Sequence, residues 1–337
     1  MRAVVLHEHG GLDNLVHHAD YRDPEMGPGD VFLKVVACAL NYHDVFTRKG
    51  MPGIKVPLPL IVGIDVAGEV MEVGTEVQGF QRGDRVLVDP IDRVKGGLLG
   101  ETFDGGLAEY VRVPAHMLIK LDDAIGYAEA ASLPVAYGTA YRMMVTRGRV
   151  RAGETVLILG ASGGVGTCCV QLAKQAGARV VACASSDDKI ARLKEMGADV
   201  GINYAATDWV AESRRQFGKA SAMGGAGGGV DVVVNFTGGE TWTQSLRVMK
   251  RNGRLLTCGA TAGYDPKEDI RFIWTFELNI IGSDGWSRED VLALLAMVKA
   301  GTLKPVLHPK RYALSQAGDA MRVLDDRQVM GKVIVAP

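Results

Sequence analysis

The sequence predicts an α/β protein: a β-rich domain first, then a doubly wound parallel sheet. Two observations carry this. Over roughly the first 120 residues, short Val-rich segments alternate with Gly, Pro and Asp, the punctuation of turns between antiparallel strands. Near residue 125 the rhythm changes. Continuous apolar segments then alternate with helical ones, as in a sheet covered by helices on both faces. The 337 residues are enough for two domains with proper cores.

"MRAVVLHEHG" opens the chain and reads as a first strand, because it lacks the long apolar region of a signal peptide. "DVFLKVVACAL", "DVAGEVMEVG", "DRVLVDP" and "LAEYVRVP" follow as strands of a barrel-like β domain. "GYAEAASLPVAYGTAYRMMVTRG" is Ala-rich with helical spacing. Then "TVLILG", "RVVACAS", "VDVVVNF", "RLLTCGA" and "NIIGS" read as parallel strands. The helices expected between them lie in "TCCVQLAKQAG", "DDKIARLKEMG" and "ETWTQSLRVMKRNG". "SREDVLALLAMVKAG" adds a helix and "GKVIVAP" a closing strand, both expected to rejoin the first domain. The glycine run "MGGAGGG" at 223–229 reads as a surface linker, since no helix opens after it.

A net charge of −1 argues against a nucleic-acid partner, which calls for a basic stripe. No run of about 18 apolar residues is present to span a membrane. The five cysteines, Cys38, Cys168, Cys169, Cys183 and Cys258, form no CxxC pair. They read as small buried hydrophobes in a reducing cytoplasm rather than a disulfide or zinc framework.

The strongest motif is "TVLILGASGGVGTCCVQLAKQAGA". An apolar strand runs into Gly160, Ser162, Gly163, Gly164, Val165 and Gly166, and a helix opens at once. Glycines let the backbone turn tightly and approach a pyrophosphate, and the helix N-terminus offers N–H groups and a positive dipole end. The strict GxGxxG is not met, because position 161 is Ala; the βαβ setting carries the reading. The second strand ends in Ala184-Ser185-Ser186-Asp187-Asp188-Lys189, without the acid that binds a ribose 2′-OH in NAD sites. Ser185, Ser186 and Lys189 can instead bind a 2′-phosphate. NADPH is therefore expected over NADH, with Asp187 and Asp188 capping the next helix.

These residues resemble the medium-chain dehydrogenase/reductase superfamily, closest to its zinc-independent quinone oxidoreductase and enoyl reductase branch. The resemblance spans nearly the whole chain through "LNYHDVFTRKG", "GIDVAGEVMEVG", "GDRV", "GGLAEYV", "GASGGVG", "INY" and "GKVIV". It implies a GroES-like β-barrel catalytic domain (1–125 and 285–337), a Rossmann domain (126–284) and a cleft between them. Zinc-dependent members carry Cys where this chain has Asn41, and a GHE motif where it has Gly63-Ile64-Asp65. The lobe that holds four cysteines in those enzymes reads "DPIDRVKGGLLGETFDGG" here. A catalytic zinc needs about three protein ligands, so no metal is expected.

The resemblance places Asn41, Tyr42, Asp44 and Thr139 at the reacting end. Gly259, Ala260, Ser283 and Asp284 lie at the carboxyl ends of sheet strands, where ligands bind in open α/β sheets, and they join Tyr204, Thr237 and Lys332 in the expected cofactor-binding set. Two other readings of "NYHD" stand beside this. Asn41 and Asp44 have capping-box spacing, and His43 reads as an exposed helix residue. Asp65, without a metal, is expected to pair with Lys332. A tyrosine that many enoyl reductases carry in a "YP" is missing, because Gly50 is followed by Met51-Pro52. The expected reaction is hydride transfer from NADPH to a quinone, an enone or a short enoyl thioester. The alternatives are a non-catalytic NADPH-binding protein and a divergent alcohol dehydrogenase. A homodimer is expected through "LNIIGS".

Overall fold

A computed structural model describes residues 1–222 and 227–337. Residues 223–226, the start of the stretch read as a linker, lie outside the described set. The chain divides into two compact units, Met1–Ala136 with Val291–Pro337, and Tyr137–Asp290.

The first unit begins with β1 (Ala3–Leu6), β2 (Leu15–His18) and β3 (Asp30–Leu40), followed by the helix Tyr42–Lys49. β4 (Leu60–Ile61), β5 (Asp65–Val73), β6 (Arg85–Val88), β7 (Tyr110–Pro114) and β8 (Leu118–Lys120) complete its N-terminal part. β3 has only Lys34 exposed along its length, as its near-continuous apolar run requires. It pairs antiparallel with β5, setting Ala39 beside Asp65. Its Val and Leu side chains join one core with those of β5, β6 and β7. Each contributes about 1.5–3 kcal/mol on full burial.

The second unit holds β9 (Thr155–Ile158), β10 (Arg179–Ala184), β11 (Val200–Asn203), β12 (Val230–Val234), β13 (Met249–Thr257) and β14 (Asn279–Gly282). They form one parallel sheet in the order β11-β10-β9-β12-β13-β14, the doubly wound arrangement of a dinucleotide-binding domain. Helices cross between successive strands because parallel neighbours cannot be joined by a tight turn. One expectation shifts here. The helix in "ETWTQSLRVMKRNG" stops at Leu246, and β13 already starts at Met249. Met249 is fully buried and pairs with Val230, so sheet pairing overrides helix propensity.

The Ala-rich stretch is helical but irregular. Tyr127–Ala131 is α-helical, and Leu133–Gly138 and Arg142–Arg147 are π-helical. Pro134 has no N–H for the i→i−4 ladder, and the next N–H, of Val135, donates to Asp65 Oδ1 at 3.1 Å.

The chain returns to the first unit through β15 (Leu307–Ala313) and β16 (Lys332–Ala336). β16 pairs antiparallel with β3, Val333 opposite Leu40. The seven-stranded sheet then runs β15-β16-β3-β5-β6-β8, with β7 also on β3. The end of β3, the start of β5 and the start of β16 thus meet, and Asn41, Asp65 and Lys332 sit at these ends. Among the described residues, no helix is long and apolar enough to cross a membrane.

Candidate active site

In the first unit the site begins at Asn41, where β3 ends and the helix starts. Asp44 returns its carboxylate to the Asn41 N–H at 2.7 Å, making the carboxylate half of a capping box. The Asn41 amide reaches elsewhere. Its Nδ2 donates to Asp65 Oδ2 at 2.9 Å and to Ala39 O at 3.3 Å, and its Oδ1 accepts from Lys332 Nζ. Both amide N–H groups are therefore engaged. The Asn41 side chain thus ties β3, β5 and β16 together.

Lys332 Nζ also donates to Asp65 Oδ2 at 3.1 Å, with both side chains buried. The expected Asp65–Lys332 pair is present. Lys332, expected in the cofactor-binding set, makes its hydrogen bonds to Asn41 and Asp65. Burial pushes the Asp65 carboxyl up, while the Lys332 ammonium and N–H groups of Asn41 and Val135 pull it back. Burial raises Asp44 to about 6, against the pull of the Asn41 N–H, with Asp65 adding to the rise and His43 and Lys332 opposing it. Asp44 Oδ1 has no hydrogen-bond partner among the described residues.

His43 departs from its expected exposure. It is about one-third exposed, and its Nε2 is hydrogen-bonded to Glu101 Oε2. Glu101 lies 58 residues away, and no local pattern points to it. Tyr42 lies edge-on to Phe46, ring centroids 5.1 Å apart.

In the second unit the glycine loop has the shape a dinucleotide needs. Gly160 has φ +64, a left-handed conformation that favours glycine. A Cβ on Gly166 would come within 2.6 Å of the Ala161 backbone, so only glycine lets the helix pack this close. The helix Gly164–Gln175 has no side-chain cap at Gly163, which leaves its first-turn N–H groups to an anion. A Cβ on Gly163 would meet only Gly160 O, at 3.6 Å, so the approach is open. Ser162, Gly164 and Val165 lie in the same turn. These features fit a pyrophosphate.

At the end of β10, Lys189 Nζ donates to Ser185 Oγ at 3.4 Å. Ser186, not Asp187 or Asp188, is the N-cap, its Oγ accepting from Lys189 N at 3.3 Å. Asp187 instead accepts from Asn203 Nδ2 at 2.9 Å. Tyr204 stands exposed beside this corner. Thr139 is buried, and the Thr237 N–H donates to Asn235 Oδ1 at 2.9 Å.

The carboxyl ends of β13 and β14 open onto a cleft of about 650 Å³ lined by Gly259, Ser283 and Asp284, next to Ala260 in the chain. Arg142 and Arg147 also line it. Sequence reasoning missed both, because they come from a helix whose packing only the fold fixes. Ser283 is buried, and its Oγ has no hydrogen-bond partner among the described residues, so a ligand polar group has a place to bind. No group of three or more His, Cys, Asp and Glu side chains among the described residues is placed to hold a metal ion.

Two family models match the chain: an alcohol dehydrogenase GroES-like domain over residues 27–123, and a zinc-binding dehydrogenase over residues 164–300. The chain is 32% identical to an NADPH-dependent alkenal/one oxidoreductase, chloroplastic, of Arabidopsis thaliana, covering 100% of this chain and 80% of that one. It is 30% identical to a crotonyl-CoA reductase of Streptomyces avermitilis, covering 94% and 81%. A crystal structure described as that of an NAD-dependent alcohol dehydrogenase superposes with a TM-score of 0.90 at 36% identity, covering 100% of each chain. With a GroES-like first unit, a Rossmann second unit and relatives matched across both, the chain belongs to the medium-chain dehydrogenase/reductase superfamily.

Proposed function

We propose that this oxidoreductase uses NADPH to transfer hydride to an electron-poor C=C bond or a quinone, without zinc. The observation that carries this is the Asn41–Asp65–Lys332 cluster. Where zinc-dependent members hold Cys and His ligands, this chain has an engaged amide and the fully buried Ile64, and its carboxylate already faces an ammonium. Without a Lewis acid to polarise an alcohol or ketone, the substrate must bring its own electron sink, as an enone, enoyl thioester or quinone does. The alkenal/one and crotonyl-CoA reductases it resembles are named for substrates of this kind.

The cofactor supplies the hydride when bound. The loop Gly160–Gly166 and the first turn after it hold the pyrophosphate. Ser185 and Lys189 hold the 2′-phosphate, with Tyr204 flanking. Thr237, Gly259, Ala260, Ser283 and Asp284 line the path toward the nicotinamide, and Tyr42, Asp44 and Thr139 serve the reacting end. Dimerisation is assigned to β14, an edge strand with β13 as its one sheet neighbour among the described residues and Ile280 exposed. Sedimentation of purified protein tests it, and a monomer at micromolar concentration would rule it out.

The activity test is consumption of NADPH and NADH with a quinone, a simple enone and a short enoyl-CoA. Turnover that prefers NADPH and survives chelator treatment supports the reading. The similar alcohol dehydrogenase structure favours a second one, a divergent NAD-dependent alcohol dehydrogenase. Stoichiometric zinc in the purified protein, with alcohol oxidation by NAD, would establish it instead.

A further inference from the structure

The cleft at the carboxyl ends of β13 and β14 holds two arginines that the cofactor does not account for. Among the described residues, those that line it all belong to the second unit; Arg142 and Arg147 are cationic and Asp284 is anionic. Both arginines come from the π-helical turn Arg142–Arg147. On an α-helix, residues five apart point about 140° away from each other, since each step turns about 100°. A π-helix closes i→i+5 hydrogen bonds instead and brings such residues back to one side. The bond from Gly148 N to Met143 O, at 2.8 Å, closes a turn of this kind. The local geometry thus delivers both guanidinium groups to one wall of the cleft.

The protein leaves much of both groups unused. Arg147 Nε donates to Gly282 O at 3.1 Å, at the end of β14. That bond anchors the side chain, and its Nη1 and Nη2 groups make no hydrogen bond among the described residues. Arg142 Nη1 stands 3.5 Å from Asp290 Oδ2, beyond ordinary hydrogen-bond length. Asp290 is already engaged: its Oδ1 accepts from Thr146 Oγ1 at 3.0 Å and its Oδ2 from Ser287 N at 2.8 Å. Asp284 is exposed to solvent. The buried Ser283 hydroxyl, without a partner among the described residues, lines the same cleft and marks it as built for a polar ligand.

The cofactor's phosphates are assigned elsewhere on this sheet. The pyrophosphate belongs to the glycine loop after β9, and the 2′-phosphate to the end of β10. β13 and β14 are two and three strands from β9, on the side away from β10. At about 4.8 Å per strand, the strand ends that frame the cleft lie about 10–14 Å from that loop, toward the nicotinamide ring. We infer that Arg142 and Arg147 form a subsite for an anionic oxygen group of the substrate, a carboxylate or a phosphate. The inference rests on the reductase reading above and narrows it: the electron-poor substrate carries such a group on its tail. A planar guanidinium pairs with two oxygens of a carboxylate or phosphate at once. The arginines are specificity-determining residues and take no part in the transfer of hydride.

The test compares an enone with a terminal carboxylate, the same enone with a terminal phosphate, and the methyl ester of the carboxylate. Wild type should prefer the anionic enones to the ester by kcat/KM, and the better of the two identifies the source of the charge. In Arg142→Gln with Arg147→Gln that preference should fall by about tenfold or more, through KM rather than kcat, because charge-assisted hydrogen bonds are lost. Arg147→Lys keeps the charge without the fork and should fall between the two. Calorimetric titration of the cofactor-free protein with the saturated carboxylate, which cannot be reduced, needs no turnover; its Kd should rise by about tenfold or more in the double variant. A wild-type preference of less than about twofold, or equal losses on ester and anions, would overturn the subsite while leaving the reductase reading intact. A KM for NADPH raised by about tenfold in the double variant, with the substrate preference kept, would overturn it too and assign the arginines to the cofactor. A wild type that reduces none of the three, yet binds the saturated carboxylate through the arginines, would overturn the reductase reading and keep the anion site.

Discussion

Asp44→Asn should make this protein more stable, and only above a definite pH. The Asp44 carboxylate is fully buried, with one oxygen on the Asn41 N–H and the other unpartnered. The nearby ammonium of Lys332 is committed to Asn41 and Asp65. Burial holds the group at about 6, against an ordinary value of 3.8 for an aspartate. That difference corresponds to about 3 kcal/mol between the two protonation states. Because the folded value is raised, the folded state binds the proton more tightly. The stabilisation is complete below about pH 4 and is lost as pH rises through about 6. Asparagine keeps an oxygen for the Asn41 N–H and removes the charge. The variant should match wild type near pH 4 and exceed it by up to about 3 kcal/mol at pH 8. Urea unfolding followed by circular dichroism at a series of pH values reads this directly. A stability difference that does not change between pH 4 and 8, or that changes with the opposite sign, would refute the reasoning.

Three further outcomes follow from the same contacts. Lys332→Met leaves Asp65 buried and unpaired and should cost about 3–5 kcal/mol, while Asp65→Asn combined with Lys332→Met should recover part of it, because both charges are then gone; urea midpoints of the single and double variants check this. Gly166→Ala drives a Cβ into the Ala161 backbone and should abolish NADPH binding measured by fluorescence titration. Ser185→Ala with Lys189→Ala should raise the Kd for NADPH by about tenfold or more and leave that for NADH within about twofold, since hydrogen bonds to charged groups contribute about 1.5–3 kcal/mol.

What the sequence revealed was local and periodic. "DVFLKVVACAL" is bounded by Gly29-Asp30 on one side and the capping Asn41 on the other, and β3 fills that span. "TVLILGASGGVG" marks both its strand and its helix start, because the turn itself demands glycine. The misreadings have physical causes of a different range. Met249 joins the sheet because Val230 pairs with it, which no helical window detects. The π-helical turn Leu133–Gly138 holds Pro134, which lacks an N–H, and Val135, whose N–H donates to an Asp65 distant in the chain. Ser186 and Asp187 are both good caps, and only the placement of Asn203 decides between them. Lys332 was anticipated as a partner of Asp65, 267 residues away, because Asp65 could not be buried alone. Glu101 offered no such clue, since a partly exposed histidine needs no partner to be stable.

The central claim is that this chain transfers hydride from NADPH to an electron-poor double bond without a metal. The most direct test is the loss of reduced-nicotinamide absorbance with purified, chelator-treated protein, an enone, and NADPH or NADH. Rapid NADPH oxidation, slower with NADH and undiminished by the chelator, is the predicted result. Activity that vanishes with the chelator and returns with zinc, or that appears only with an alcohol and NAD, would contradict it.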